Sequence, residues 1–224
     1  MRQAFLPLQV PAALEGLLEL ALDLRWTWSH AGDALWETVD PTVWEHTRNP
    51  WTLLQNVSQE RLQHLTQDAQ FMQEFQRLMA ERARYLTAPG WYGDVHSAAQ
   101  VARIAYFSME FGLGNGLPLY AGGLGVLAGD YLKAASDLGL PVVGVGLLYQ
   151  RGYFRQMLDG DGRQMEMSPY NDPTGLPIQP VHSPSDGWLH VSLDFPGRTL
   201  LLRIWQARVG RVSLYLLDSN DPKQ

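Results

Sequence analysis

The stretch Tyr120–Tyr149, YAGGLGVLAGDYLKAASDLGLPVVGVGLLY, decides the fold of this chain. It opens on Gly122, Gly123 and Gly125, continues from Val126 to Leu138 with apolar residues at helical spacing, and closes on Pro141–Tyr149, a Val- and Leu-rich run of buried-strand character. A shorter apolar run, Val101–Phe107, precedes it. Strand, glycine loop, helix and strand in that order are the βαβ arrangement of a parallel sheet, so the fold class read from the sequence is α/β.

Upstream of this unit the chain reads as helical. Leu14, Leu17, Leu18, Ala21, Leu22 and Trp26 follow the spacing of one amphipathic helix over Pro11–Trp28, with Pro11 tolerated in the first turn. Asn49, Ser58 and Asp68 have the character of helix caps, the last opening a helix that runs to about Leu86. Five of the eight tryptophans, Trp26, Trp28, Trp36, Trp44 and Trp51, lie in this region. They suit either a sugar-stacking platform or the filling of a small core by large rings, and the second reading is preferred because Trp buries much area per residue. The breaker cluster Ala88-Pro89-Gly90-Trp91-Tyr92-Gly93 marks a change of pattern, giving a helical Trp-rich region at 1–90 and an α/β region at 91–224.

Downstream, Asp159-Gly160-Asp161-Gly162 reads as a turn joining Tyr153–Leu158 to Arg163–Met167 in a hairpin. After the Pro-rich connection Asp172–Pro184, the alternating segments Leu189–Phe195, Thr199–Val209 and Val212–Leu217 read as a small antiparallel unit. The final residues, from Asp218 to Gln224, form a turn cluster directly after a strand, as expected of a cut within a longer polypeptide.

Composition narrows the function classes. A chain of 224 residues, 46% hydrophobic, is long enough for a substantial core. Its net charge of −6 supplies no broad basic field for a phosphate backbone, so nucleic-acid binding is disfavoured while a local anion site is not. With no cysteine there is no disulfide framework and no thiolate chemistry, which fits a reducing, cytoplasmic setting. No apolar stretch reaches the ~18 residues of a membrane span. The six histidines lack ligand spacing, so no metal site is expected, and neither a nucleophile elbow nor a P-loop is present.

The glycine turn is the densest chemical signal. Gly122, Gly123 and Gly125 let the backbone approach a ligand, and the first helical turn offers N–H groups without intrahelical partners together with a partial positive charge, which suits an oxyanion. The same glycines would serve a tight turn and close helix packing, and spacing alone leaves the two accounts level. Gly123-Leu124-Gly125-Val126-Leu127-Ala128 satisfies a dinucleotide pattern, but the strand ends near Phe107 and Pro141–Gly152 holds no acidic residue for a ribose, so NAD is rejected. Gly112-Leu113-Gly114-Asn115-Gly116 is a weaker match and reads as a flexible loop. Glu110, at the carboxyl end of the first strand, is placed to meet sugar hydroxyls or a water, or else to be satisfied by local backbone N–H groups. Arg151, Arg155 and Arg163 cluster around the hairpin and suit either contact with anionic groups or a solvated hairpin edge, of which the second is preferred.

The runs Ala105–Phe111, Leu117–Asp130, Ser136–Pro141, Gly144–Tyr149 and Gly152–Gln156 together resemble the short-branch alpha-glucan (glycogen/maltodextrin) phosphorylases, and the Trp-rich leader is similar to the N-terminal extension of that branch. The resemblance implies a two-lobed GT-B glycosyltransferase architecture. This chain would hold the helical extension, part of the N-terminal Rossmann-like lobe and a small antiparallel β unit, with the C-terminal lobe absent. It also implies reversible phosphorolysis of alpha-1,4-glucan to glucose 1-phosphate, with pyridoxal 5′-phosphate acting through its phosphate and attached to a lysine of the C-terminal lobe. Lys133 follows the glycine loop on the helix, and nothing in the resemblance makes it that lysine.

Carried over residue by residue, the resemblance implies that Gly122 and Gly123 face the phosphate region of the cleft, which also receives the cofactor phosphate. Leu124 would lie beside the glucosyl unit and Glu110 would line the same cleft. Gly112 stands where longer-branch relatives carry a tyrosine, which puts a cofactor contact from that position in doubt. The implied partners are alpha-1,4-glucan or maltodextrin and inorganic phosphate, with a homo-oligomer as the assembly. No residue is assigned a catalytic role, and the isolated chain is expected to be silent. Two other readings are a non-catalytic carbohydrate-binding or regulatory module of the same fold, and a glycogen synthase-like sugar-nucleotide glycosyltransferase. The latter typically has a lysine two residues before the glycine pair, where this chain has Tyr120.

Overall fold

A computed structural model of the chain describes residues 9–96, 103–120, 122–184 and 187–220. The start of the expected first strand at Val101, Ala121 of the glycine run and residues 221–224 of the terminal cluster lie outside the described residues.

The N-terminal part is helical, with α1 (Gly16–Leu22), α2 (Asp33–Val39), α3 (Pro41–Thr47), α4 (Pro50–Asn56), α5 (Gln59–Leu65) and α6 (Ala69–Thr87). The expected caps are in place. Asn49 accepts the Trp51 and Thr52 N–H groups, Ser58 that of Arg61, and Asp68 those of Gln70 and Phe71, each satisfying donors that a helix leaves unpaired. Leucines of these helices close around Trp36, Trp44 and Trp51, which are 2–4% exposed, so these rings fill the core. Each such burial is worth roughly 1.5–3 kcal/mol for a large apolar side chain. Trp26 and Trp28 pack half-buried at the joint with the sheet, their indole N–H groups donating to the Ala21 carbonyl and the Asp137 carboxylate.

The single helix expected over Pro11–Trp28 is broken. A 3-10 turn at Ala12–Leu14 precedes α1, and another at Leu24–Thr27 follows it. Between α1 and the second turn, Asp23 leaves the helix to accept the Gly210 N–H at 2.8 Å and the Arg25 N–H at 3.2 Å. Apolar periodicity runs straight through the break, which is why the sequence reads as one element; a partner 187 residues away makes the interruption.

A mixed sheet forms the second part, with strands β1 (Ile104–Phe107), β2 (Val142–Leu147), β5 (Gln179–Pro180), β6 (His190–Phe195), β7 (Arg198–Val209) and β8 (Val212–Asp218), while β3 (Arg155–Leu158) and β4 (Gln164–Met167) form a separate hairpin. The order is β1-β2-β8-β7-β5, with β6 also on β7. β1, β2 and β8 run parallel, whereas β8–β7, β7–β6 and β7–β5 are antiparallel. The antiparallel segments therefore do not make a unit of their own. Both edges of β8 are hydrogen-bonded, one to β2 and one to β7, which joins them to the parallel strands in one sheet.

Helix α8 (Gly123–Leu138) lies on the face carrying Val142, Gly144, Val212 and Leu214. Gly144 permits this closeness, since a Cβ there would meet Leu132 of α8 at 3.0 Å. α7 (Gly90–Val95) meets the far end of α8. The segment from Phe111 to Leu119 is not a flexible loop: Phe111, Leu113, Leu117 and Leu119 are buried in the sheet core, and the Gly112 N–H donates to the Gly125 carbonyl at 2.7 Å. Gly129 has no room for a side chain because Gly112 lies against it. No helix among the described residues is long and apolar enough to cross a membrane.

The two parts meet at Tyr85 of α6. Its hydroxyl bonds to Ser136 Oγ at 2.6 Å and to the Asp137 carboxylate at 2.8 Å, and the guanidinium groups of Arg25 and Arg211 lie over its ring at 4.1 and 4.0 Å.

Candidate functional site

The carboxyl end of β1 and the amino end of α8 converge on Glu110. The chain leaves β1 at Phe107, and Ser108 turns it by donating to the Glu110 carbonyl at 2.8 Å. The Glu110 side chain then reaches the start of α8, where one oxygen, Oε2, accepts the Gly122 N–H at 3.2 Å and the Gly125 N–H at 3.1 Å. A carboxylate at a helix amino end is favoured both by these hydrogen bonds and by the peptide dipoles.

This geometry divides the expected residues. Gly122 is the N-cap, with an ordinary extended backbone, while Gly123, Leu124 and Gly125 already belong to the first helical turn. The Gly122 N–H is engaged by Glu110, so it is not an open donor in this structure. Glu110 in turn meets backbone N–H groups through Oε2, which is the second of the two accounts given by its position in the sequence. Gly123 and Leu124 differ: they are exposed, and among the described residues no acceptor meets either N–H.

The glycines differ in the same way. A Cβ on Gly125 would lie 2.9 Å from both Glu110 Cβ and the Tyr120 carbonyl, so that position is glycine for packing. A Cβ on Gly122 would meet Tyr153 Oη at 3.2 Å. On Gly123 it would meet nothing within 4 Å, so no contact within the described residues requires glycine there.

Aromatic rings that spacing in the sequence does not connect with the turn stand beside it. Tyr120 packs edge-on against Tyr149 and Tyr153, with centroids 4.7 and 5.2 Å away. Tyr149 is anchored by its O–H donating to the Met109 carbonyl at 3.0 Å, and burial, with the Glu110 charge nearby, raises its pKa. Around the carboxyl ends of β1 and β2, Phe107, Ser108, Met109 and Gly146 border an open depression of about 270 Å³. The three arginines of the hairpin region point outward; Arg151, Arg155 and Arg163 are exposed, and Arg163 pairs with Asp161 at 3.4 Å.

The arrangement defines a class: an α/β protein whose helix amino end, fixed by an acidic side chain, opens at the carboxyl ends of parallel strands. Residues 96–178 match the carbohydrate phosphorylase family, and residues 10–117 match a protein family of unknown function. The chain is 37% identical over 215 residues to a maltodextrin phosphorylase of Thermococcus litoralis, covering 96% of this chain and 26% of the relative. It is 43% identical over 221 residues to a glycogen phosphorylase of Mycobacterium tuberculosis, with coverage of 96% and 26%. A glycogen phosphorylase of Aquifex aeolicus is 35% identical over 207 residues, with coverage of 92% and 29%. The chain is thus homologous to the N-terminal portion of the glycogen and maltodextrin phosphorylases, and it spans about a quarter of their length.

Proposed function

We propose that this chain supplies one wall of the cleft of an alpha-glucan phosphorylase, which transfers a glucosyl unit from alpha-1,4-glucan or maltodextrin to inorganic phosphate. In this reading residues 1–90 are a helical extension and 91–224 part of a Rossmann-like lobe of a GT-B enzyme. Cytoplasmic location and assembly as a homo-oligomer belong to the same reading.

The observation that carries it is the contrast at the start of α8: Glu110 holds Gly122 and Gly125, while Gly123 and Leu124 are exposed residues whose N–H groups meet no acceptor among the described residues. Two adjacent amides, with open space where a side chain would stand, fit one phosphate oxygen. Gly123 and Leu124 are the residues that would meet the substrate phosphate or the phosphate of pyridoxal 5′-phosphate, and Leu124 offers its half-exposed side chain to the glucosyl unit. When bound, that cofactor supplies an ionised phosphate group. Gly122 and Glu110 shape the wall by setting the direction of the helix start. Preorganised donors of this kind stabilise developing charge without reorganising during the reaction.

A chimera tests the reading. This chain is joined to the remaining three quarters of the 43%-identical Mycobacterium tuberculosis relative and assayed for glucose 1-phosphate release from maltoheptaose with phosphate and pyridoxal 5′-phosphate. The chimera is expected to be active and its Gly123→Val form at least ~100-fold slower at unchanged melting temperature, the isolated chain being silent. A folded, cofactor-loaded chimera without activity, or full activity in the Gly123→Val form, defeats the proposal.

A further inference from the structure

Tyr153 follows β2 by six residues and introduces the β3–β4 hairpin, yet its hydroxyl lies 3.2 Å from the point where a Gly122 side chain would begin. Tyr153 is 53% exposed, but its ring meets that of Tyr120 in an edge-on contact, and Tyr120 meets Tyr149 in the same way. Tyr149 is tied to the main chain at Met109, one residue before Glu110. These contacts make a braced tier of three rings that ends in an accessible aromatic surface beside the open start of α8. Among the described residues the Tyr153 hydroxyl makes no hydrogen bond.

A large side chain with half its surface in water gains little stability from its position. Bracing it nevertheless reduces the freedom it must lose on binding, as does the two-angle side chain of tyrosine itself. An apolar ring face with a polar tip matches a pyranose, which presents C–H groups on its faces and hydroxyls around its rim.

We infer that Tyr153 is a saccharide-recognition residue: its ring packs against a glucosyl unit beside the α8 amino end, and its hydroxyl meets a rim hydroxyl of the same sugar. The inference rests on the phosphorylase reading for the identity of the sugar, and it adds a recognition residue outside the glycine turn.

The test is binding of maltoheptaose to the 224-residue chain by ligand-observed NMR titration, with Tyr153→Ala, Tyr153→Phe and Tyr153→Trp beside the unsubstituted protein. Saturable binding is expected, weakened roughly tenfold by Tyr153→Ala and retained within about threefold by Tyr153→Phe and Tyr153→Trp, at matching circular dichroism. A structural role alone would not make affinity follow the presence of a ring. If the unsubstituted chain binds and Tyr153→Ala binds equally well, the inference is overturned while the phosphorylase reading stands. If the unsubstituted chain shows no saturable binding, the saccharide wall fails and the inference with it. Should Tyr153→Ala lose its fold, Tyr153→Phe and Tyr153→Trp decide alone: a loss of binding in both folded variants overturns the role of the ring face.

Discussion

The Glu110 carboxylate lies 3.1 Å from the amide nitrogen of Gly125, fifteen residues along the chain, and the same oxygen also takes the Gly122 N–H. One side chain thereby sets the direction in which α8 leaves the sheet. Removing it should loosen the helix start before it affects the core.

Glu110→Ala leaves two backbone donors without their acceptor, and stability in urea is expected to fall by ~1–3 kcal/mol. Glu110→Gln keeps an acceptor oxygen and loses only the charge, so its loss should be less than half as large. Equal losses for the two substitutions would show that charge, not the paired hydrogen bonds, holds the turn.

Gly125→Ala and Gly123→Ala separate packing from ligand access. At 125 the new methyl meets Glu110 and the Tyr120 carbonyl at 2.9 Å, so a cost of ~1–3 kcal/mol is expected in thermal or urea unfolding. At 123 it meets nothing, and stability should stay within ~0.5 kcal/mol.

Asp23 gives the fold a dependence on pH. Burial raises its pKa above the usual value of 3.8, outweighing the hydrogen bonds from Gly210 and Arg25 and the nearby Arg82 guanidinium, whose Nε lies 3.4 Å away. Between the unfolded and the raised folded pKa, the native state retains a proton that the unfolded chain has released. Stability contributed by this group is therefore fully present below about pH 4 and declines as pH rises through the folded value. In urea titrations across pH, Asp23→Asn should flatten that decline. Asp23→Ala should cost ~2–4 kcal/mol, because the buried Gly210 N–H loses its acceptor. An unchanged pH profile in Asp23→Asn would assign the decline to other groups.

Tyr85→Phe tests the joint between helices and sheet. Its hydroxyl bonds to Ser136 and Asp137, and burial, with the Asp137 hydrogen bond and charge, pushes its pKa up to about 12. Deleting the hydroxyl should cost ~0.5–1.5 kcal/mol, since the ring remains between Arg25 and Arg211. Tyr85→Ala removes the ring as well and should cost ~3 kcal/mol or more. Comparable melting temperatures for the two variants would contradict the role given to the ring.

Much of the architecture was legible because its causes are local. The caps at Asn49, Ser58 and Asp68, the 3.6-residue period after Gly123 and the turn at Asp159–Gly162 each depend on neighbours within a few residues. The site was legible only in part. Glycine spacing located the helix start but did not show that Gly122 and Gly125 are already held, nor that Tyr153 stands over the turn.

Sequence alone determined the elements and their kinds: short capped helices around tryptophan, and a glycine-led helix between two strands. Tertiary structure decided what those elements share. It broke the first helix at Asp23, joined the antiparallel strands to the parallel ones through β8, and left the Gly123 and Leu124 N–H groups at the helix start without an acceptor among the described residues. The reason is physical: propensity and periodicity act over a few residues, whereas the choice of hydrogen-bond partner for a buried carboxylate or an edge strand depends on groups that only the folded chain brings together.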